Sequence, residues 1–265
     1  MDSVGERVLA LQQRGATWLY TYAVAFGGWT TLIRTPLESL AQVLSRTSPF
    51  LDLPSARAVV YIIAAPILWN SLARLEYYTA MGRRLCGGRR RLACFLLACW
   101  IFSFSLYRDL VVMEAMRTSA APWPPFPQGL LPSFVWRVCS PSTTAKVVEL
   151  GAWTALLLGL VLVVTSFFQL GLYGTYLGDY FGILKPSRVT AFPFSHFEHP
   201  MYDGSSLLFL AKALFERSTI GLVLTACLFV VYRVATIWEG AFTNRIYAQG
   251  GRRQRRFHDA RKHAD

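Results

Sequence analysis

The stretch VVELGAWTALLLGLVLVVTSFFQLGL, Val147–Leu172, decides the fold. It exceeds the roughly 20 apolar residues that cross a hydrocarbon core of about 30 Å, and its one ionisable residue, Glu149, stands near its start. Blocks of the same character flank it at Ala16–Ile33, Ala58–Ala73, Leu92–Leu106 and Thr219–Trp238, with a shorter one at Gly204–Phe215. Composition agrees. The 265 residues are 54% hydrophobic and 16% charged, against about 25% charged in soluble domains, and mean hydropathy is +0.35. The sequence therefore predicts an all-α integral membrane protein with four to five transmembrane helices plus a C-terminal helical hairpin. Three parts follow: an N-terminal extension, 1–47, with one hydrophobic or interfacial helix; a membrane core, 48–249; and a basic cytosolic tail, 250–265. Asp2 and Glu6 ahead of the first block argue against a cleavable secretory signal.

Charge sets the expected topology. The net +12 is concentrated in Arg83, Arg84, Arg89, Arg90 and Arg91 and in Arg252, Arg253, Arg255, Arg256, Arg261 and Lys262. Short cytoplasmic segments collect Lys and Arg, so both clusters belong in the cytosol and call for no nucleic acid. Anionic headgroups of the cytoplasmic leaflet are a natural secondary partner. The Pro-rich connection Pro122–Pro141 then lies in the lumen. One further span would carry the tail there too, unless Gly204–Phe215 and Thr219–Trp238 form a hairpin turning at Glu216-Arg217-Ser218-Thr219. Twelve residues rise only about 18 Å, so the first arm needs support from neighbours. Both termini are expected in the cytosol.

Five scattered cysteines (Cys86, Cys94, Cys99, Cys139, Cys227) show no metal-ligand spacing, and no metal is expected. Gly171, Gly174, Gly178 and Gly182 recur at intervals of three or four. That places them on one helical face, suited to close helix packing or to a ligand approaching the backbone. Glu198-His199-Pro200-Met201-Tyr202 opens the hairpin and Glu239 closes it, so the hairpin should return Glu239 to His199 and Tyr202. Such a site suits a cofactor that is cationic and zwitterionic: Glu239 accepts from an ammonium, and His199 and Tyr202 donate to a carboxylate. Tyr173, Tyr176, Tyr180 and Trp238 can offer π faces to a sulfonium. Lys212 and Arg233 are ionisable groups at membrane depth, Arg233 close enough to the helix end to snorkel.

Several runs carry a family likeness: Leu177-Gly178-Asp179-Tyr180-Phe181-Gly182-Ile183-Leu184-Lys185, then Arg188-Val189-Thr190, Phe192-Pro193-Phe194, Pro200-Met201-Tyr202 and Gly204-Ser205. Glu239, Phe242-Thr243 and Ile246-Tyr247 continue it, and upstream so do Trp69-Asn70, Ala73-Arg74 and Glu76. From Ser48 to Gln249 the chain resembles the phosphatidylethanolamine N-methyltransferases of the phospholipid methyltransferase family. The resemblance implies S-adenosyl-L-methionine as co-substrate and a membrane phospholipid as substrate. It also implies successive methylation of phosphatidylethanolamine and its mono- and dimethyl derivatives towards phosphatidylcholine. The expected location is the endoplasmic reticulum membrane, with the mitochondrial membrane a second one.

On this reading Leu158, Gly159, His199, Tyr202 and Glu239 are the donor-binding candidates, His199 and Tyr202 the catalytic ones with the proton acceptor open between His199 and Glu239, and the charges of Lys185, Arg188 and Arg245 make them candidates for the lipid phosphate. The sequence departs from the family at two places. A Gly-x-Gly reads Leu157-Leu158-Gly159 here, and a Glu-Glu pair reads Glu239-Gly240. His199-Pro200 with Tyr202 also resembles the Arg-His-Pro-x-Tyr segment of isoprenylcysteine carboxyl methyltransferases, with Glu198 in place of the Arg. An enzyme of that kind and a non-catalytic membrane scaffold are the competing readings.

Overall fold

A computed structural model describes residues 32–48, 51–118, 141–186 and 189–262, and contains no strand among them. Helix α1 covers 32–47, α2 Leu53–Thr79, α3 Met81–Leu85, α4 Arg90–Thr118, α5 Pro141–Thr175, α6 Pro200–Phe215 and α7 Thr219–Lys262. A 3-10 turn, Gly178–Phe181, separates α5 from α6. Four segments are long and apolar enough to cross a membrane: Leu53–Thr79, Arg90–Thr118, Ala145–Phe181 and Thr219–Ala248. Most of block Ala16–Ile33 and all of the connection 122–140 lie outside the described residues.

Local chemistry fixes the ends. Asp52 caps α2 by accepting from the Ser55 N–H at 3.0 Å, with Pro54 in the first turn where its missing donor costs nothing. At the other end Ala80 adopts a left-handed conformation and its N–H donates to the Glu76 carbonyl at 2.8 Å. The Glu76 side chain, buried, then gathers the Gly82 N–H (2.6 Å) and the Arg83 Nε (2.8 Å). One carboxylate thus ties the start of the arginine loop to α2.

The core lies among α2, α4, α6 and α7, filled by Tyr61, Ile62, Val112, Leu224 and Leu228. Outside it, large side chains such as Leu157, Val161 and Phe168 (79% exposed) face outward from α5. In water so broad an apolar surface would drive association; in lipid it is the required exterior. Helix α1 is held by an ion pair: the Arg57 Nε lies 2.9 Å from Glu38, and the Tyr61 hydroxyl donates to the same carboxylate at 3.3 Å.

The hairpin forms as expected, and its first arm is longer than the hydrophobicity suggests. Pro200 starts α6 four residues before Gly204, giving sixteen residues and about 24 Å of rise. The turn uses left-handed Arg217 (φ 48). Ser218 N–H donates back to the Ala213 carbonyl at 2.9 Å and Arg217 N–H to Leu214 at 3.1 Å, the pairing of a Schellman ending. At this tip Lys212 Nζ (2.5 Å) and Arg117 Nε (3.1 Å) both meet the Glu216 carboxylate. Lys212, a functional candidate at membrane depth in the sequence, shares the Glu216 carboxylate with Arg117 at the far end of α4.

Support for α6 comes from α5. A Cβ added to Gly159 would stand 2.8 Å from the Gly204 carbonyl oxygen, and one added to Gly204 would stand 2.9 Å from the Gly159 oxygen. Only glycine permits that approach, which brings two backbones together in the manner of membrane helix pairs. Near its end α5 kinks at Gly171 (φ 65, ψ 176), and the freed Gln169 carbonyl accepts from the Lys185 Nζ at 2.6 Å. The glycine run is accordingly not one helical face. Gly171 makes the kink, while Gly178 and Gly182 shape the 3-10 turn beyond it.

Three outcomes are expected. Replacing Gly204 by Leu should lower the thermal midpoint in detergent by an amount equivalent to about 1–3 kcal/mol; an unchanged midpoint would contradict the close contact. Hydrogen bonds from Lys212 and then Arg117 hold the Glu216 carboxyl below its ordinary value of 4.5. A depressed folded value means that the stabilisation is complete above the unfolded value and is lost as pH falls through the folded one. Glu216→Gln should therefore flatten the acid side of the pH–stability curve. Glycosylation acceptors near Gly88 and after Gly250 should stay unmodified while one near Gly129 is modified; modification of the tail tag alone would mean that α7 crosses to the lumen.

Candidate functional site

Five elements converge where α6 begins. The Tyr202 hydroxyl, in the first turn of α6, donates to the Glu239 carboxylate of α7 at 2.6 Å. Behind it, the Tyr202 ring packs on Tyr232 with centroids 4.8 Å apart, and the Tyr232 oxygen accepts from the Arg108 Nη1 of α4 at 2.9 Å. Arg108 is 4% exposed, and its other nitrogens are held by Asp109 at 2.9 and 2.7 Å. From α2, Arg74 donates its Nη2 to the Trp238 carbonyl at 3.1 Å. Its guanidinium covers the rings of Phe242 (5.0 Å) and Trp238 (5.5 Å).

The 3-10 turn completes the enclosure. Thr243 donates to the Asp179 carboxylate at 3.0 Å, and the Tyr180 ring stacks on Phe242 at 5.0 Å. Glu239 and Tyr180 both lie within the electrostatic reach of Arg74. The buried Arg74 Nε has no close hydrogen-bond partner among the described residues, and the Tyr180 hydroxyl lies beside the same guanidinium. Buried polar atoms are normally paired, so a site with an unspent donor beside a carboxylate suits a ligand that carries both an ammonium and a carboxylate. Trp238, 55% exposed, leaves an aromatic face open beside it. Among the described residues no three His, Cys, Asp or Glu side chains gather as a metal site.

The expected residues fare differently. Tyr202 and Glu239 meet. His199 caps α6 without a side-chain cap bond; its ring centroid is 6.5 Å from that of Tyr202 and its Nε2 is 4.0 Å from Glu198. Gly159 backs α6 through Gly204, two residues past Tyr202, while Leu158 is 53% exposed. Of the phosphate candidates, Lys185 is engaged with Gln169, Arg245 is exposed on α7, and Arg188 lies outside the described residues. Tyr180 and Trp238 reach the site, whereas Tyr173 and Tyr176 pack against the core. Arg233 does not simply snorkel: it pairs with Asp203 across the hairpin. A Cβ at Gly240 would meet nothing within 4 Å, so the place of the missing second glutamate opens outward.

Sequence reasoning passed over Arg74, Asp179, Thr243 and Arg108 as site residues. The first three lie inside the family-like runs. Arg108 falls just beyond block Leu92–Leu106 and reads as a flank until α4 is seen to continue to Thr118.

Comparison with known proteins gives the family. The family described as phospholipid methyltransferase matches residues 148–250. The phosphatidyl-N-methylethanolamine N-methyltransferase of Saccharomyces cerevisiae is 40% identical over 215 residues, 80% of this chain and 95% of the relative. The human phosphatidylethanolamine N-methyltransferase is 38% identical over 79% of this chain and 96% of its own. A Dictyostelium discoideum phosphatidylethanolamine N-methyltransferase is 38% identical over 72% and 80%. No solved structure matches. With relatives aligned along nearly their whole length, the chain belongs to the phospholipid methyltransferase family.

Proposed function

We propose that this chain methylates the amine of phosphatidylethanolamine and of its mono- and dimethyl derivatives, towards phosphatidylcholine, with S-adenosyl-L-methionine as methyl donor. The Tyr202–Glu239 hydrogen bond carries the reading. It presents an oriented carboxylate at the end of the molecule that also holds the arginine loop, the end assigned to the cytosol, where the water-soluble donor is made. The membrane is that of the endoplasmic reticulum, with mitochondrial membranes the second location, and both termini are cytosolic.

S-adenosyl-L-methionine, when bound, supplies an electrophilic methyl on a sulfonium. Glu239 accepts from its ammonium, held in place by Tyr202, and the spare Arg74 Nε donates to its carboxylate. The open face of Trp238 offers cation–π attraction, roughly 0.5–2 kcal/mol depending on desolvation. The lipid amine reacts as its neutral form, and burial beside a cation lowers its pKa. His199, half-exposed at the α6 start, takes the amine proton and passes it to water. As the nitrogen–carbon bond forms, the sulfur–carbon bond breaks with its electron pair on sulfur. In-line positioning of this kind contributes up to about 7–11 kcal/mol in favourable cases. Arg245 and Arg188 meet the lipid phosphate; Lys185 does so only by releasing Gln169.

Glu239→Gln in lipid-reconstituted protein should raise the donor Kd at least tenfold, about 1.4 kcal/mol. Tyr202→Phe should raise it less, in line with the loss of a bond worth about 0.5–1.5 kcal/mol. Unchanged affinity in both would sink the assignment. Labelled methyl should enter mono- and dimethylphosphatidylethanolamine at least as readily as the unmethylated lipid, and incorporation only into prenylcysteine peptides would refute the substrate.

A further inference from the structure

Four arginines that face inward are matched to carboxylates, Arg57 to Glu38, Arg83 to Glu76, Arg108 to Asp109 and Arg233 to Asp203, and a fifth, Arg74, is turned into the site described above. Arg89, Arg90 and Arg91 are not. All three are exposed and have no carboxylate partner among the described residues. They line one side of a surface groove of about 620 Å³, whose remaining walls are Leu92, Gly182, Ile183 and Leu184.

Two features make this more than an ordinary basic loop. The lining is amphipathic, with guanidinium groups beside leucine and isoleucine side chains, as an ester-linked headgroup with its first acyl carbons would require. The groove is also built, because Arg90 is laid over Gly182, its Nη1 3.3 Å from where a Cβ would stand. The first-turn amides of α4 lie in the same wall and add positive potential. Three guanidinium groups exceed what a zwitterionic lipid balances, so the charge selects a headgroup with net negative charge.

We propose that this groove is a binding site for an anionic phospholipid, separate from the substrate lipid. Its far wall is continuous with the donor site: Gly182 N–H donates to the Asp179 carbonyl at 3.0 Å and Ile183 N–H to Gly178 at 2.9 Å. A headgroup seated against Gly182–Leu184 therefore braces the turn that presents Asp179 and Tyr180 to α7. Occupancy couples leaflet charge to methyl transfer. The coupling rests on the methyltransferase reading; the binding does not.

The test uses the full chain in nanodiscs of phosphatidylcholine, titrated with fluorescent phosphatidylglycerol and, separately, with fluorescent phosphatidylcholine, without donor. The protein should retain phosphatidylglycerol at least tenfold more strongly. Arg89→Gln, Arg90→Gln and Arg91→Gln combined should abolish that preference, and neutralising Arg252, Arg253 and Arg255 in the tail should leave it. Equal loss from the tail variant would reveal generic polybasic attraction and overturn the site. So would displacement by millimolar inorganic phosphate, which would mark a small-anion site. In the methylation assay, added phosphatidylglycerol should raise the rate of the native chain and not of the triple variant. A missing rate effect with lipid preference intact would remove the coupling alone.

Discussion

A sixteen-residue helix is too short to cross a bilayer unaided, and α6 stands because Gly159 and Gly204 let its backbone rest on that of α5. There is no hydrophobic drive between helices in lipid, so close contact and dispersion must hold them. From this contact the rest follows. It sets the depth of the α6 start, hence of Tyr202, and the Schellman turn at Arg217 then fixes where α7 returns. Glu239 meets a hydroxyl because a short helix was held at the right height.

The charges inside the protein are arranged to make that meeting permanent. Arg108 is expensive at membrane depth, and it is accommodated by Asp109 and by the Tyr232 oxygen. Tyr232 in turn supports the ring of Tyr202. Arg233 and Asp203 lock the two arms from the other side. At the tip, Lys212, Arg117 and Glu216 close the hairpin. Asp109 balances Arg108 from the same helix, while the Arg108–Tyr232, Arg233–Asp203 and Arg117–Glu216 contacts join different elements, so the carboxylate is oriented from several directions at once.

Much of this was legible in the sequence, for physical reasons. The apolar blocks gave the spans, since length and hydropathy are local properties. The hairpin came from a conflict between charge and span count, and the return of Glu239 to Tyr202 followed from it. The α6 start was misplaced by four residues because Pro200, Met201, Tyr202 and Asp203 are not uniformly apolar, although Pro200 is well suited to a first helical turn. The glycine run misled because spacing of three or four also occurs where a chain kinks. Arg74 and Arg108 stayed hidden as site residues because their meaning depends on contacts with α7, more than a hundred positions away.

Trp238 and Gly240 flank Glu239 on the side that opens to the surroundings rather than to the core. A site with that outlook samples a two-dimensional liquid. What governs its saturation is the mole fraction of acceptor lipid in one leaflet, so diluting the vesicles in buffer changes nothing while diluting the lipid with an inert one slows the reaction. Each methylated product also stays in the phase from which it must be recaptured, and the successive steps compete as neighbours in a plane.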